Sequence, residues 1–155
     1  MIWAYRRPNI FPACIDLLAW AAGLVGGAVL SLVFSRGRIG WTLAMTILLE
    51  SGDFARFPSC ADYASYCRTV RSRKISNGKN KGRNNGRNGN PHLAWAFAEA
   101  AVFTQRFDPV AKAWFERKAK RRNRQVAYKA LACKLSKAVW HVMNGNAYDS
   151  RRLFM

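Results

Sequence analysis

Apolar residues recur at intervals of three and four along the C-terminal half of the chain and predict three consecutive helices, over residues 91–106, 109–121 and 125–143. Pro91 and Pro109 suit the first turns of the first two. The first is apolar on most sides, through residues such as Trp95 and Phe97, so we expect it to lie deep in the core. The third is amphipathic: its apolar stripe is Ala127, Leu131, Leu135, Ala138 and Val142, and Lys129, Lys134 and Lys137 lie away from it.

The pattern upstream predicts two shorter helices. Residues 41–50 are nearly all apolar and are followed by the helix-ending residues Ser51, Gly52 and Asp53. Ser59 is placed to cap a second helix, in which Cys60, Tyr63, Ala64 and Cys67 recur at helical spacing. Strand signals are weak throughout and we find no internal repeat. The expected fold is therefore mainly α: a small helical domain with a long basic loop, preceded by an apolar N-terminal segment.

The N-terminal segment differs in amino-acid composition from the rest of the chain. Residues 17–34 carry no charge and are bracketed by arginines, which is the pattern of a borderline membrane span or a signal peptide. Asp16 and three internal glycines weaken both interpretations, and a buried helix or an unrelated segment are the alternatives. We divide the chain into residues 1–38, a domain over 39–148, and a basic tail over 149–155.

The net charge of the chain indicates which kind of partner it binds. The chain has 26 Lys and Arg residues against eight Asp and Glu, a net charge of +18, which favours nucleic acid over an anionic membrane surface. The four cysteines lack zinc-site spacing, and neither His92 nor His141 has a neighbouring carboxylate. We therefore expect no metal site in this chain.

The most basic stretch is 71–90, which is rich in Lys, Arg, Asn and Gly and contains no acid. Such a composition is typical of a disordered linker, or of a loop laid along phosphates. On the second interpretation the nucleic-acid-binding residues are Arg71, Arg73, Lys74, Lys79, Lys81, Arg83 and Arg87.

Several segments, taken in order, carry a family resemblance: LAMTILLESGD at 43–53, Arg56-Phe57, YASYCR at 63–68, SNGKNKG at 76–82, NGN at 88–90, LAWAFAEAA at 93–101 and AYKALACKL at 127–135. This series resembles the C-terminal domain of insertion-sequence transposases of the one-ten and eleven-eleven type. The resemblance covers roughly residues 39–148.

The resemblance implies an RNA-guided serine recombinase that acts on cytoplasmic DNA with a structured guide RNA, as dimers or tetramers on the DNA. Ser76 occupies the position of the family's serine nucleophile. A serine in a Gly- and Asn-rich loop is, on the residues alone, an ordinary loop residue. The role fits its surroundings, because Arg73, Lys74, Lys79 and Lys81 can neutralise the oxygens of an attacked phosphodiester.

Two departures from the family stand out. The family's N-terminal domain, a resolvase-like fold whose acidic residues bind magnesium, has no counterpart among these residues. The family's Pro-Gly-Ile-Gly turn, which opens a helix-hairpin-helix-like element, is matched here by Gly37, Arg38, Ile39 and Gly40, so that Arg38 replaces a glycine. Both departures suggest a reading-frame change or rearrangement near residues 36–40.

The sequence thus predicts the DNA-binding C-terminal part of a transposase, truncated and inactive alone. Magnesium is expected only in the N-terminal domain. The alternatives are a non-catalytic nucleic-acid-binding module and a membrane-anchored basic protein.

Overall fold

The computed structural model describes residues 40–70, 73–83 and 88–155, and within them the fold is mainly helical. The helices are α1 (Trp41–Ser51), α2 (Cys60–Tyr66), α3 (Pro91–Phe107), α4 (Pro109–Arg121), α5 (Arg124–Met143) and α6 (Ser150–Phe154). A 3-10 turn (Phe54–Arg56) lies between α1 and α2, and an antiparallel pair of strands, β1 (Arg73–Ser76) and β2 (Lys79–Arg83), lies between α2 and α3. The five helices expected from the apolar pattern are confirmed to within a few residues.

Short polar side chains start most of these helices. Ser59 accepts a hydrogen bond from the Asp62 amide at the start of α2, and Asn123 accepts one from the Val126 amide at the start of α5. Asp108 accepts from the amides of Val110 and Ala111 and so caps α4. Each cap satisfies N–H groups that have no partner within the helix.

The core is built around α3 and α5, which pack against each other. Helices α1 and α4 pack on α3, and helices α2 and α4 pack on α5. The stripe predicted for α5 is confirmed, since all five of its residues are buried: Ala127, Leu131, Leu135, Ala138 and Val142. On α3 the fully buried residues include Leu93, Phe97, Ala100 and Ala101.

One expectation for α3 was wrong. Trp95 was expected among core residues, yet 52% of its surface is exposed. Ala98, one turn further on, is exposed as well. Helix α3 therefore keeps one face in contact with solvent, because its neighbours α1, α4 and α5 cover only the other sides.

The C-terminal residues were predicted as a basic tail, but residues 150–154 form helix α6, which packs on α4. Phe154 is 1% exposed and its ring lies 5.8 Å from that of Trp114. The Lys134 ammonium, predicted to lie on the outer face of α5, is half-buried and donates to the Leu153 carbonyl. Phe154 is thus a buried residue within a segment of basic composition, and the fold continues past residue 148.

The N-terminal apolar segment, including 17–34, and the turn at Gly37, Arg38 and Ile39 lie outside the described residues. Gly40 is described, and its carbonyl accepts from the Leu43 and Ala44 amides at the start of α1. Of the helices in the described ranges, none has the length and the hydropathy needed to cross a membrane.

Candidate nucleic-acid interface

The centre of the basic stretch is a β-hairpin, which corrects the expectation of a loop without strands. Ser76 pairs with Lys79, Ile75 with Asn80 and Arg73 with Arg83, with a bulge between Arg73 and Ile75. The turn is Asn77-Gly78, with φ values of 51° and 70°. Two successive positive φ values define a type I′ turn, whose twist matches that of two paired strands.

The signal for this hairpin was present in the sequence and was missed. Asn-Gly is the dipeptide best suited to a type I′ turn, because glycine has no Cβ and asparagine tolerates the left-handed region. The flanking residues, Arg73–Ser76 and Lys79–Arg83, lack the alternating apolar residues that normally accompany such a turn. The turn chemistry, rather than apolar patterning, marks these strands.

The hairpin brings five of the seven predicted nucleic-acid-binding residues into one element. Arg73 and Lys74 are in β1, and Lys79, Lys81 and Arg83 are in β2. The side chains of Lys79 and Lys81 are exposed. Arg71 and Arg87 lie outside the described residues. Residues 73–83 contain no carboxylate, so the five positive charges have no neutralising partner within the hairpin.

Ser76 is the last residue of β1, directly before the turn, and is half-buried. Directly paired residues project their side chains on the same face of a two-stranded sheet, with Cβ atoms about 5 Å apart. The register therefore places the Ser76 hydroxyl and the exposed Lys79 ammonium on one face of the hairpin, beside the turn. This pair offers a hydroxyl and a cation, but residues 73–83 include no histidine or carboxylate to act as a base.

Histidine, cysteine and acidic side chains are the usual protein ligands of metal ions. Within the described ranges, no three residues among the histidines, cysteines and acidic residues lie close enough together to hold a metal ion.

The two ends of the basic stretch meet at a polar closure that sequence reasoning missed. The Asn90 amide donates to the Tyr66 carbonyl at 2.8 Å. The Arg68 Nε donates to the carbonyls of Asn88 and Gly89, at 3.0 and 3.1 Å. Arg68 has a φ of 55°, a strained value for a residue with a side chain, and these hydrogen bonds help to hold it there. We call residues 66–69 and 88–90 the loop base.

Asn90 links the loop base to two helices. Its Oδ1 accepts from the amides of His92 and Leu93 and so caps α3. Its Nδ2 donates to the Glu50 carboxylate, at the end of α1, at 2.7 Å. Pro91 after Asn90 indicated a helix start in the sequence, but the contact with Glu50, forty positions away, had no local signal.

The loop base is also attached to α5. The Thr69 hydroxyl donates to the Ala64 carbonyl at 2.9 Å, and the hydroxyls of Thr69 and Ser136 are 3.0 Å apart. Ser136 is completely buried on α5. The chain therefore leaves and rejoins the helical core at one fixed place on either side of residues 71–87.

Comparison with known proteins bears on the function of this arrangement. A search of curated proteins and a search of solved structures each found no match. A scan against protein families found one: the IS116/IS110/IS902 family of transposases matches residues 31–116. The match begins upstream of the boundary predicted after residue 38, and it contains the hairpin and the loop base. Since it covers more than half of the 155 residues, the chain belongs to the IS116/IS110/IS902 family of transposases.

Proposed function

We propose that this chain is the DNA-handling domain of a transposase, that the 73–83 hairpin contacts the DNA backbone, and that Ser76 is the nucleophile. One observation carries the proposal: Ser76 adjoins a type I′ turn, paired with Lys79, on a hairpin with five cations and no acid. Cations are the groups expected beside a phosphodiester that gains charge during attack.

The chemical step is a transesterification. The Ser76 oxygen forms a bond to phosphorus, the bond from phosphorus to one deoxyribose oxygen breaks, and the DNA strand leaves as a hydroxyl that takes up a proton. The serine proton must pass to a base. Since residues 73–83 contain none, the base comes from elsewhere, and an acidic domain of the kind that the family resemblance implies is the proposed source.

The hairpin's cations have a second role in this proposal, which is to bind DNA whatever its sequence. Lys79 and Lys81 are exposed, and contacts from such side chains to phosphates position a protein on DNA without reading bases. A structured guide RNA completes the proposal by supplying the sequence selection that phosphate contacts lack, and the chain self-associates on the DNA.

A non-catalytic nucleic-acid-binding module is the second candidate. It is favoured by the same charges and by the lack of a base within the hairpin. The two candidates differ in one respect: only the first includes a covalent bond between the chain and DNA.

The deciding experiment incubates the chain with end-labelled donor DNA, with and without a separately expressed acidic domain and guide RNA from a family member, followed by denaturing electrophoresis. We expect a covalent band that requires the added domain and is lost in Ser76→Ala. Ser65→Ala is the matched control, because Ser65 is exposed on α2 and outside the hairpin, and it should keep the band.

Binding is measured on the same samples by gel shift under native conditions. Ser76→Ala should retain it, since the cations remain. DNA binding with no covalent band under any condition would reject the nucleophile and support the non-catalytic module. A band that persists in Ser76→Ala would show that another residue reacts.

A further inference from the structure

The strongest concentration of exposed charge in the described residues lies outside the hairpin. Where α4 ends and α5 begins, six basic residues fall within eight positions, and all six are exposed: Arg117, Lys118, Lys120, Arg121, Arg122 and Arg124. Glu116 is the one acid adjoining them in sequence. We call residues 117–124 the α4–α5 corner. It lies just beyond the family match, which ends at residue 116.

The corner is held in place by the core. Phe115, 1% exposed, anchors the middle of α4, and its ring lies 4.5 Å from that of Tyr128 on α5. The Arg124 guanidinium lies 5.7 Å from the Phe115 ring centroid. Asn123 caps α5 through the Val126 amide at 2.7 Å. These contacts give the corner a defined geometry, unlike that of a basic tail.

Helix electrostatics account for only part of this charge. Cations in the last turn of a helix are favoured by its dipole, and this explains Lys118, Lys120 and Arg121 in α4. Arg122 is the C-cap of α4, where the dipole also favours a cation. Arg124 lies in the first turn of α5, where the dipole disfavours one. The position of Arg124 is therefore unfavourable for the isolated fold, and a bound polyanion explains it.

The charge of the corner acts on one lysine outside it. Burial lowers the pKa of Lys134 on α5, and the charge of Lys118 lowers it further.

The surroundings of these charges favour duplex DNA. Residues 117–124 contain no aromatic residue, whereas surfaces that bind unpaired bases add aromatic side chains for stacking. Asn123, the residue there suited to pair with an adenine edge, is already engaged as a helix cap. Arginine matches phosphate through paired N–H donors, and duplex DNA carries one negative charge about every 1.7 Å along its axis.

We propose that the α4–α5 corner is a second DNA contact, which holds the phosphate backbone of a duplex without reading its sequence. The choice of DNA as the polyanion rests on the proposed function. The surface itself is separate from the hairpin and from Ser76.

The test compares two pairs of adjacent, exposed arginines. Arg121→Gln/Arg122→Gln alters the corner, and Arg151→Gln/Arg152→Gln is the charge-matched control. The control pair lies on α6, which is joined to the opposite end of α4 by the hydrogen bond between Ser150 and Asp108. Both pairs are on the surface, so both variants should keep the melting temperature of the parent chain.

Affinity for two duplexes of unrelated sequence, and for single-stranded DNA, RNA and an acidic peptide, is measured by fluorescence anisotropy across a range of salt concentrations. We expect the corner variant to bind both duplexes about tenfold more weakly at 0.15 M salt, with the slope of log affinity against log salt shallower by about 1–2. The control variant should keep the parent slope. Equal losses in the two variants, an effect on one duplex only, or a larger loss on single-stranded DNA, RNA or an acidic peptide would each overturn the proposal. A Ser76-dependent covalent band together with an unchanged slope would reject the corner and leave the proposed function standing.

Discussion

Gly89 lies against the backbone of Tyr66, so that a Cβ on Gly89 would overlap the Tyr66 carbonyl oxygen and would lie 3.1 Å from its carbonyl carbon. Gly89 also has a φ of 90°, a conformation that side chains disfavour. The two ends of the basic stretch can therefore close at the loop base only if residue 89 has no side chain.

We expect Gly89→Ala to destabilise the protein more than Gly145→Ala. Gly145 has nearly the same φ, 87°, but open space where its Cβ would stand. Gly145→Ala should cost about 1 kcal/mol from backbone strain alone, and Gly89→Ala about 1–3 kcal/mol more from the overlap. Urea unfolding of the two variants measures the difference. Equal losses of stability in the two variants would mean that Gly89 is not packed tightly against Tyr66 in the loop base.

The packing of α6 predicts that truncation of Phe154 strongly destabilises the fold, whereas truncation of the next residue, Met155, hardly changes its stability. Phe154→Ala removes a ring that is 1% exposed, and truncations of this kind cost about 3–5 kcal/mol in a core. Met155→Ala is the control, because Met155 is 95% exposed and its removal should cost less than about 0.5 kcal/mol. Thermal melts followed by circular dichroism test both. Similar melting temperatures would restore the interpretation of residues 149–155 as a tail.

Alkaline pH should destabilise the fold through Cys67. Burial raises the pKa of this thiol from 9.0 to about 12. Between pH 9 and pH 12 the thiol loses its proton in the unfolded chain but keeps it in the folded protein. The contribution of this group to the free energy of unfolding is therefore complete below pH 9 and is lost as the pH rises towards 12. Burial also raises the pKa of Tyr148, to about 12, with a further contribution from Asp108. Both groups act in the same direction.

The measurement is the free energy of unfolding at several pH values from 7 to 11, under reducing conditions. The free energy of unfolding should decline with rising pH, and Cys67→Ala should make this decline shallower by up to about 1.4 kcal/mol per pH unit. Cys133→Ala is the control, because the Cys133 side chain is only half-buried. A decline of equal steepness in Cys67→Ala and the parent chain would contradict the assignment.

The hairpin shows why part of the candidate site escaped prediction. Alternating apolar residues are the usual sign of a strand, and Arg73–Ser76 and Lys79–Arg83 have almost none. The Asn77-Gly78 turn was sufficient to indicate the hairpin, because few other residue pairs accept two positive φ values in succession. Five of the predicted basic residues lie in these two strands, but their pairing across the strands depended on that turn.

Local chemistry in the sequence determined the positions of the helices, the caps at Ser59, Asp108 and Asn123, and the buried stripe of α5. These features depend on residues within a few positions of each other, which a single sequence displays directly. Only the tertiary structure decided that Asn90 bonds to Glu50, that α6 packs through Phe154, and that Trp95 stays in solvent. Each of these depends on which surfaces meet after distant segments have packed, and the spacing of residues along the chain carries no record of that choice.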